Sequence, residues 1–184
     1  MKRRNSLLLG GAGVAIIAAT PLVAGWFGEA EQPMVFVGEA PRGPTEDGYR
    51  VSRVVDGDTI QVVRNGERTR VRLLGIDTPE TVHPTDPVEC FGPQASAFAL
   101  KQLQGKDVIL EFDASQPRLD QYDRTLAYVW VEGQMFNREA LRGGYAERYR
   151  AAEGLAWELE FTVLEDDARE RGAGLWGACP RDGA

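Results

Sequence analysis

The sequence contains only one histidine, His83, and only two cysteines, Cys90 and Cys179. A single histidine excludes mechanisms in which two histidines act together as acid and base. No histidine or cysteine is placed where a zinc site would need one, so zinc chemistry is not indicated. His83 itself lies between prolines, where we expect a solvent-exposed loop. These exclusions support a mechanism that uses carboxylates and a metal ion.

Basic residues are also scarce. The chain has 21 Lys and Arg against 28 Asp and Glu, a net charge of −7, and without residues 1–28 the balance is 18 against 28, or −10. Such a chain does not bind polyanions by bulk attraction. Any affinity for phosphate must come from a local group of arginines or from a metal ion that reverses the local charge.

Charge is absent altogether from residues 5–28, which follow Lys2, Arg3 and Arg4. A basic start and an apolar run predict a secretory signal peptide. The run is also long enough to cross a bilayer, so an N-terminal membrane anchor through residues 5–28 stays open. In either case we expect a secreted or extracytoplasmic protein. Residues 29–48 mix Pro, Gly and acids without periodicity and predict a flexible linker, and the compact domain should cover residues 49–180.

Both cysteines lie in the part that would be exported. An even number in an oxidising compartment favours one disulfide between Cys90 and Cys179, which would fasten the C-terminal tail to the middle of the domain. Two independent buried thiols remain the alternative.

The apolar pattern predicts five strands, and Asn65-Gly66 between the second and third is a strong hairpin signal. The predicted strands cover residues 51–55, 60–64, 68–76, 108–112 and 125–131. Three helices are predicted over residues 94–104, 137–142 and 155–171. Five short strands with interposed helices suit a small barrel.

The last predicted helix has an apolar and a charged set of side chains. We expect Leu155, Leu159, Val163 and Leu164 to face inward. The charged residues should form a solvated outer face; they are Glu165, Asp166, Asp167, Arg169, Glu170 and Arg171.

Two acidic turns close neighbouring strands. Asp56 and Asp58 follow the first strand, and Asp77, Thr78 and Glu80 follow the third. If those strands pair, three or four carboxylates converge at one end of the barrel, and hard oxygen ligands of this kind suit Ca²⁺ or Mg²⁺. Either turn alone is explained as well by the preference of Asp and Gly for turns.

Two arginines accompany these turns. Arg72 precedes Asp77, and Arg124 opens the fifth strand. Guanidinium groups bind phosphate with two hydrogen bonds and stabilise charge that develops on phosphorus. A simple ion pair with Asp120 or Asp123 is the alternative for Arg124.

Four segments in this order resemble the signatures of the staphylococcal nuclease family. They are DGDTI (56–60), RLLGIDTPE (72–80), ECFGPQASAF (89–98) and DQYDRTLAYVW (120–130), and the resemblance covers roughly residues 49–177. It implies an α+β fold, a five-stranded OB-fold β-barrel with three α-helices. It also implies a Ca²⁺-dependent nuclease that cleaves DNA and RNA and leaves 3′-phosphate products.

By position, the resemblance implies a role for each motif residue. Asp56, Asp77 and the carbonyl of Thr78 would hold one Ca²⁺ ion, with Asp58 close by through water. Glu80 would be the general base, Arg72 and Arg124 would bind the phosphate, and Tyr122 would line the nucleotide pocket. Tyr149 could flank the substrate or be a surface aromatic. Asp123 stands where the family pattern has Gly.

The sequence therefore predicts a monomeric, calcium-dependent endonuclease that does not discriminate between DNA and RNA. The alternative is a non-catalytic OB-fold module that binds nucleic acid or protein. Such a module has no need to keep Arg72, Glu80 and Arg124 together with the aspartates.

Overall fold

The structure is a computed structural model that describes residues 41–81 and 87–180. The predicted signal or anchor, most of the predicted linker and His83 lie outside the described residues. Within the described ranges, no helix is both long enough and apolar enough to cross a membrane. Eight strands and four helices follow one another along the described chain. They are β1 (Thr45–Val54), β2 (Thr59–Arg64), β3 (Glu67–Leu73), β4 (Ile76–Asp77), α1 (Gly92–Leu103), β5 (Asp107–Glu111), β6 (Thr125–Val131), β7 (Gln134–Met135), α2 (Phe136–Arg142), β8 (Glu147–Arg148), α3 (Glu158–Glu170) and α4 (Leu175–Ala178).

Five of the strands close into a barrel, as predicted. The sheet order is β3-β2-β1-β5-β6, with antiparallel neighbours, and a parallel pairing of β3 with β6 closes it. In that closing pair Arg72 lies opposite Leu126. Apolar residues that alternate along the strands fill the interior, including Ile60, Val62 and Val71.

The barrel begins earlier than predicted. β1 starts at Thr45, whereas the first strand was predicted from residue 51 and the domain from residue 49. Ahead of it, the backbone N–H groups of Arg42 and Gly43 donate to Glu111 Oε1 at 2.7 and 2.9 Å. The end of the predicted linker is thus part of the domain, because the buried Glu111 carboxylate takes these backbone donors.

The third predicted strand is interrupted before Ile76. β3 ends at Leu73, and Gly75 takes a φ of +75°. A Cβ atom at Gly75 would lie 2.7 Å from the Phe161 ring, so both the backbone and the packing require glycine. After this break, β4 pairs with β8 in a separate two-stranded sheet, with Asp77 opposite Glu147.

The predicted hairpin turn and the predicted buried face of the first helix are confirmed. Asn65 and Gly66 both have positive φ, which is the geometry of a two-residue hairpin turn. α1 buries Ala95, Ala99 and Leu103 as its spacing indicated. α4 is a short helix that was not predicted.

The inward face predicted for the helix over residues 155–171 was right for Leu155 and Leu164, which are buried, and wrong for the rest. Leu159 is 81% exposed and Val163 39% exposed, whereas Glu165 is only 1% exposed. The helix, α3, buries Phe161 and Ala168 together with Leu164. The physical reason is that Glu165 is paired below the surface: its carboxylate accepts hydrogen bonds from Arg148 and Arg169.

The Cys90–Cys179 disulfide is present and closes a separation of 89 residues. The prediction of one bridge is confirmed, and two independent thiols are excluded. The bridge connects the segment before α1 to the end of α4.

Candidate active site

The first acidic turn is ordered by Asp56. Its Oδ1 accepts the backbone N–H groups of Asp58 and Thr59 at 3.0 and 2.7 Å. This is the local side-chain turn that Asp forms readily. Between the two aspartates lies Gly57, where a Cβ atom would come within 2.7 Å of the Thr78 side chain. Glycine at this position therefore allows the second acidic turn to approach.

The two acidic turns meet through Asp58. This residue is 6% exposed. Its Oδ2 accepts hydrogen bonds from the Thr78 backbone N–H at 2.9 Å and from the Thr78 hydroxyl at 3.2 Å. The predicted meeting of the two turns is thus present. Asp58, rather than Asp56, makes the contacts that cross from one turn to the other.

Arg72 lies between the carboxylates of both turns. Its Nη2 is 2.7 Å from Asp77 Oδ1 and 3.3 Å from Asp58 Oδ2. Its Nη1 donates to the backbone carbonyls of Leu73 and Ile76 at 2.9 and 2.7 Å. The break in the third strand supplies these two carbonyls, so it also fixes the guanidinium, which is 13% exposed.

Arg124 is held by Asp120, one of the two acids proposed for it from sequence. Asp120 accepts the Arg124 backbone N–H through Oδ1 at 2.9 Å and its Nε through Oδ2 at 2.7 Å. Burial alone would raise the pKa of Asp120, but these hydrogen bonds outweigh it and the pKa lies below its usual value. The ion pair with Asp120 therefore fixes the orientation of the Arg124 guanidinium.

All seven residues predicted for metal binding and catalysis line one cleft of about 120 Å³. They are Asp56, Asp58, Arg72, Asp77, Thr78, Glu80 and Arg124. Pro79 and Thr59 complete its wall. Four carboxylate-bearing residues, two threonines and two arginines thus line one small volume.

The carboxylates of the cleft disturb one another's ionisation. Burial, together with the negative charge of Asp58, raises the pKa of Asp56 to about 6. Burial also raises the pKa of Asp77, although the Arg72 guanidinium opposes that effect. Burial is the larger cause for both residues, and positive charge placed beside them would favour their ionised forms.

The donor set fits calcium in kind. The carboxylates of Asp58 and Asp77 and the carbonyl of Thr78 are hard oxygen ligands. Among residues 41–81 and 87–180, however, no three acidic, histidine or cysteine side chains enclose a point suited to a metal ion. Asp58 and Asp77 are instead both in contact with Arg72.

The two predicted substrate tyrosines flank the arginines. The Tyr122 ring lies 5.3 Å from the Arg124 guanidinium carbon, and the Tyr149 ring lies 5.5 Å from that of Arg72. Both rings are exposed, at 60% and 44%. They are accessible to a base that stacks beside a phosphate bound by the arginines.

Glu89 is a site residue that sequence reasoning missed. Its carboxylate Oε2 accepts the Glu80 backbone N–H at 2.8 Å, and its own N–H donates to the Glu80 carbonyl at 2.9 Å. Glu89 opens the ECFGPQASAF motif, but no local sequence pattern indicated its contact with Glu80, nine positions earlier.

Fold and cleft together define an OB-type barrel protein with an acidic, arginine-lined site at one end. The family model described as staphylococcal nuclease homologue matches residues 70–178. Thermonucleases from Staphylococcus intermedius and Staphylococcus hyicus are 39% and 38% identical, each over 71% of this chain and 76% of the relative. Endonuclease YncB from Bacillus subtilis is 35% identical over 68% of this chain and 60% of its own length. The chain belongs to the staphylococcal nuclease family.

Proposed function

We propose that this protein is a calcium-dependent endonuclease that hydrolyses phosphodiester bonds of both DNA and RNA and leaves 3′-phosphate ends. The observation that carries the proposal is the single cleft lined by the aspartates, Glu80 and both arginines. The named nuclease relatives support the same reaction class. A non-catalytic binding module would not need Glu80 beside Arg72 and Arg124.

Asp58, Asp77 and the Thr78 carbonyl would hold the ion, and Asp56 would orient the first turn. This assignment exchanges the two aspartates of that turn relative to the family resemblance, because Asp58 makes the contacts between the turns. When bound, Ca²⁺ would supply positive charge beside the phosphate and favour the ionised form of neighbouring carboxylates.

The side chains divide the reaction between them. Glu80 accepts a proton from a water molecule as its oxygen bonds to phosphorus. The bond from phosphorus to the 5′ oxygen breaks, and that oxygen takes a proton from solvent. Arg72 and Arg124 bind the phosphoryl oxygens and stabilise the charge that builds on them. Tyr122 and Tyr149 offer stacking surfaces, which favours single strands and frayed A·T-rich ends.

We further propose that the protein acts outside the cytoplasm, as a monomer. The uncharged N-terminal run of residues 5–28 would direct export and would either be removed or serve as a membrane tether. The Cys90–Cys179 disulfide is typical of an oxidising compartment.

The proposal is tested by digestion of plasmid DNA and of single-stranded RNA with calcium, with a chelator, and by Glu80→Gln in calcium. We expect chelation to abolish cleavage and Glu80→Gln to lower the rate about 10² to 10⁴-fold. The products should accept a 5′ label from a kinase without prior dephosphorylation, since their 5′ ends are hydroxyls.

Glu67→Gln is the matched control, because Glu67 is an exposed acid at the hairpin end of β3. It should cleave at the wild-type rate. Cleavage that persists in chelator, or that is unaltered in Glu80→Gln, would overturn the assigned roles.

A further inference from the structure

We infer that Glu89 is a positioning residue for the general base, and that the Cys90–Cys179 disulfide fixes it in place. The inference rests on the proposed role of Glu80. It assigns to the disulfide a part in catalysis in addition to its part in stability.

Two hydrogen bonds hold Glu80 by its backbone, and Glu89 makes both. The Glu89 carboxylate accepts the Glu80 N–H, and the Glu89 N–H donates to the Glu80 carbonyl. Gly92 also packs against the backbone of residues 79 and 80. A Cβ atom at Gly92 would lie 3.1 Å from both the Pro79 and Glu80 carbonyl oxygens. The segment 89–92 is therefore packed directly on the backbone that carries the base.

The direction of the Glu80 carboxylate depends on that backbone. Its Oε1 accepts the N–H of Thr81, the next residue, at 2.8 Å. The carboxylate is thus tied to its own peptide unit, and a shift of the chain at 80–81 moves the base with it. A misplacement of about 1 Å can cost a rate of the order of 10²-fold.

Glu89 needs support because it is exposed to water. Hydrogen bonds that compete with solvent contribute little net stability. The adjacent Cys90 supplies a covalent restraint by its bond to Cys179 at the end of α4.

The far end of the bridge is firmly seated. In α4, Leu175 is buried, and its N–H donates to the Gly144 carbonyl at 2.9 Å. Gly144 lies two residues beyond the end of α2, and a Cβ atom at this position would clash with the Ala173 carbonyl. The disulfide therefore connects the segment of Glu89 to a packed part of the domain.

The first test compares Glu89→Ala with Glu89→Gln. The alanine variant loses the acceptor for the Glu80 N–H, so we expect kcat to fall about tenfold with KM unchanged within twofold. The glutamine amide oxygen can accept the same N–H, so this variant should keep kcat within about twofold of wild type. Asp107→Ala removes an exposed acid on β5 and serves as the control for lost charge.

The second test concerns the bridge. Cys90→Ser combined with Cys179→Ser should lower kcat by about the same factor as Glu89→Ala, again at unchanged KM. Adding Glu89→Ala to the two serines should then cost little more, because both changes release the same segment. Reductant should bring wild-type kcat down to the value of the serine variant and leave the serine variant unaffected.

All assays are run at least 15 °C below each variant's melting temperature, on the full chain with calcium. A purely stabilising role would lower the melting temperature and leave kcat unchanged, and that result overturns the inference. Glu80→Gln separates the two proposals. If it is inactive while Glu89→Ala retains wild-type kcat, only the positioning role fails; if it remains active, the proposed base fails.

Discussion

At the scale of single residues, Asp123 suits the backbone conformation at its position but adds a negative charge next to Arg124. Its φ is 56°, a left-handed conformation that Asp tolerates better than most residues and that Gly adopts freely. The barrel therefore accepts Asp where the family pattern has Gly. The same substitution places a negative charge directly before Arg124.

Removing that charge should improve substrate binding. We expect Asp123→Asn and Asp123→Gly to lower KM for DNA roughly two- to fivefold, the range of an exposed charge interaction. Asn keeps the tolerance for positive φ without the charge, so equal gains in both variants would assign the effect to electrostatics. Steady-state kinetics at low ionic strength provide the measurement, and a gain in Asp123→Gly alone would indicate a conformational cause.

At this scale the sequence was informative about which residues form the site and less so about their contacts. The acidic turns and both arginines could be predicted because turn residues and strand spacing are local signals. The bridging position of Asp58 could not, because it depends on the absence of a Cβ atom at Gly57. The hydrogen bonds between Glu89 and Glu80 join residues nine positions apart, and no local sequence pattern indicates such a contact.

At the scale of secondary-structure elements, Glu165 connects α3 to β8. This buried carboxylate on α3 accepts the backbone N–H and the Nε of Arg148 in β8, both at 3.0 Å. β8 in turn pairs with β4, which carries Asp77. Burial alone would raise the pKa of Glu165, but the bonds from Arg148 and the charges of Arg169 and Arg150 outweigh it and lower the pKa.

This lowered pKa predicts an acid-sensitive contribution to stability. A carboxyl with a depressed folded pKa stabilises the protein above its unfolded pKa, near 4.5, and loses that contribution as pH falls through the folded value. We expect Glu165→Gln to reduce the free energy of unfolding by about 1 to 3 kcal/mol at pH 7, because the buried negative charge that accepts the hydrogen bonds of Arg148 and Arg169 is lost. Denaturant titrations at pH 7 and pH 3 should show the deficit shrinking at the lower pH.

Asp167→Asn is the control on the same helix. Its ion pair with Arg171 is half exposed on both sides and should contribute no more than about 0.5 kcal/mol. A pH-independent deficit in Glu165→Gln would contradict the electrostatic explanation.

The error over α3 has the same origin. The periodicity located the helix but could not decide which side of it faces the core. Apolar residues occur on both sides, with Leu159 and Val163 on one and Phe161 and Leu164 on the other. A glutamate on the buried side is unusual. Only the arginines contributed by β8 and by α3 itself make it favourable, and β8 is two residues long and carries no strand pattern.

At the scale of the whole molecule, a net negative protein is proposed to act on a polyanion. If so, the attraction is local, supplied by Arg72, Arg124 and the Ca²⁺ ion proposed above. For single strands, counterion release gives a slope of log affinity against log salt of about −0.7 per phosphate neutralised.

We therefore expect KM for an oligonucleotide to rise with salt by only about 1.5 decades per decade of salt concentration, the value for two phosphate contacts. The measurement is a series of KM values at increasing NaCl and fixed, saturating calcium. Arg124→Gln should lower the slope by about 0.7, the contribution of one phosphate contact. A slope steeper than about 3 would indicate a wider basic surface than the cleft.

The docking of residues 42 and 43 on Glu111 defines where the folding unit starts. The buried carboxylate also accepts the indole N–H groups of Trp130 and Trp157, so it is the meeting point of the barrel, the approach to α3 and the incoming chain. A recombinant fragment that begins at Thr45, the first residue of β1, would deprive this carboxylate of two donors, whereas one that begins at residue 41 retains them. We therefore expect N-terminal truncation to spare the stability of the domain only when the cut lies upstream of Arg42.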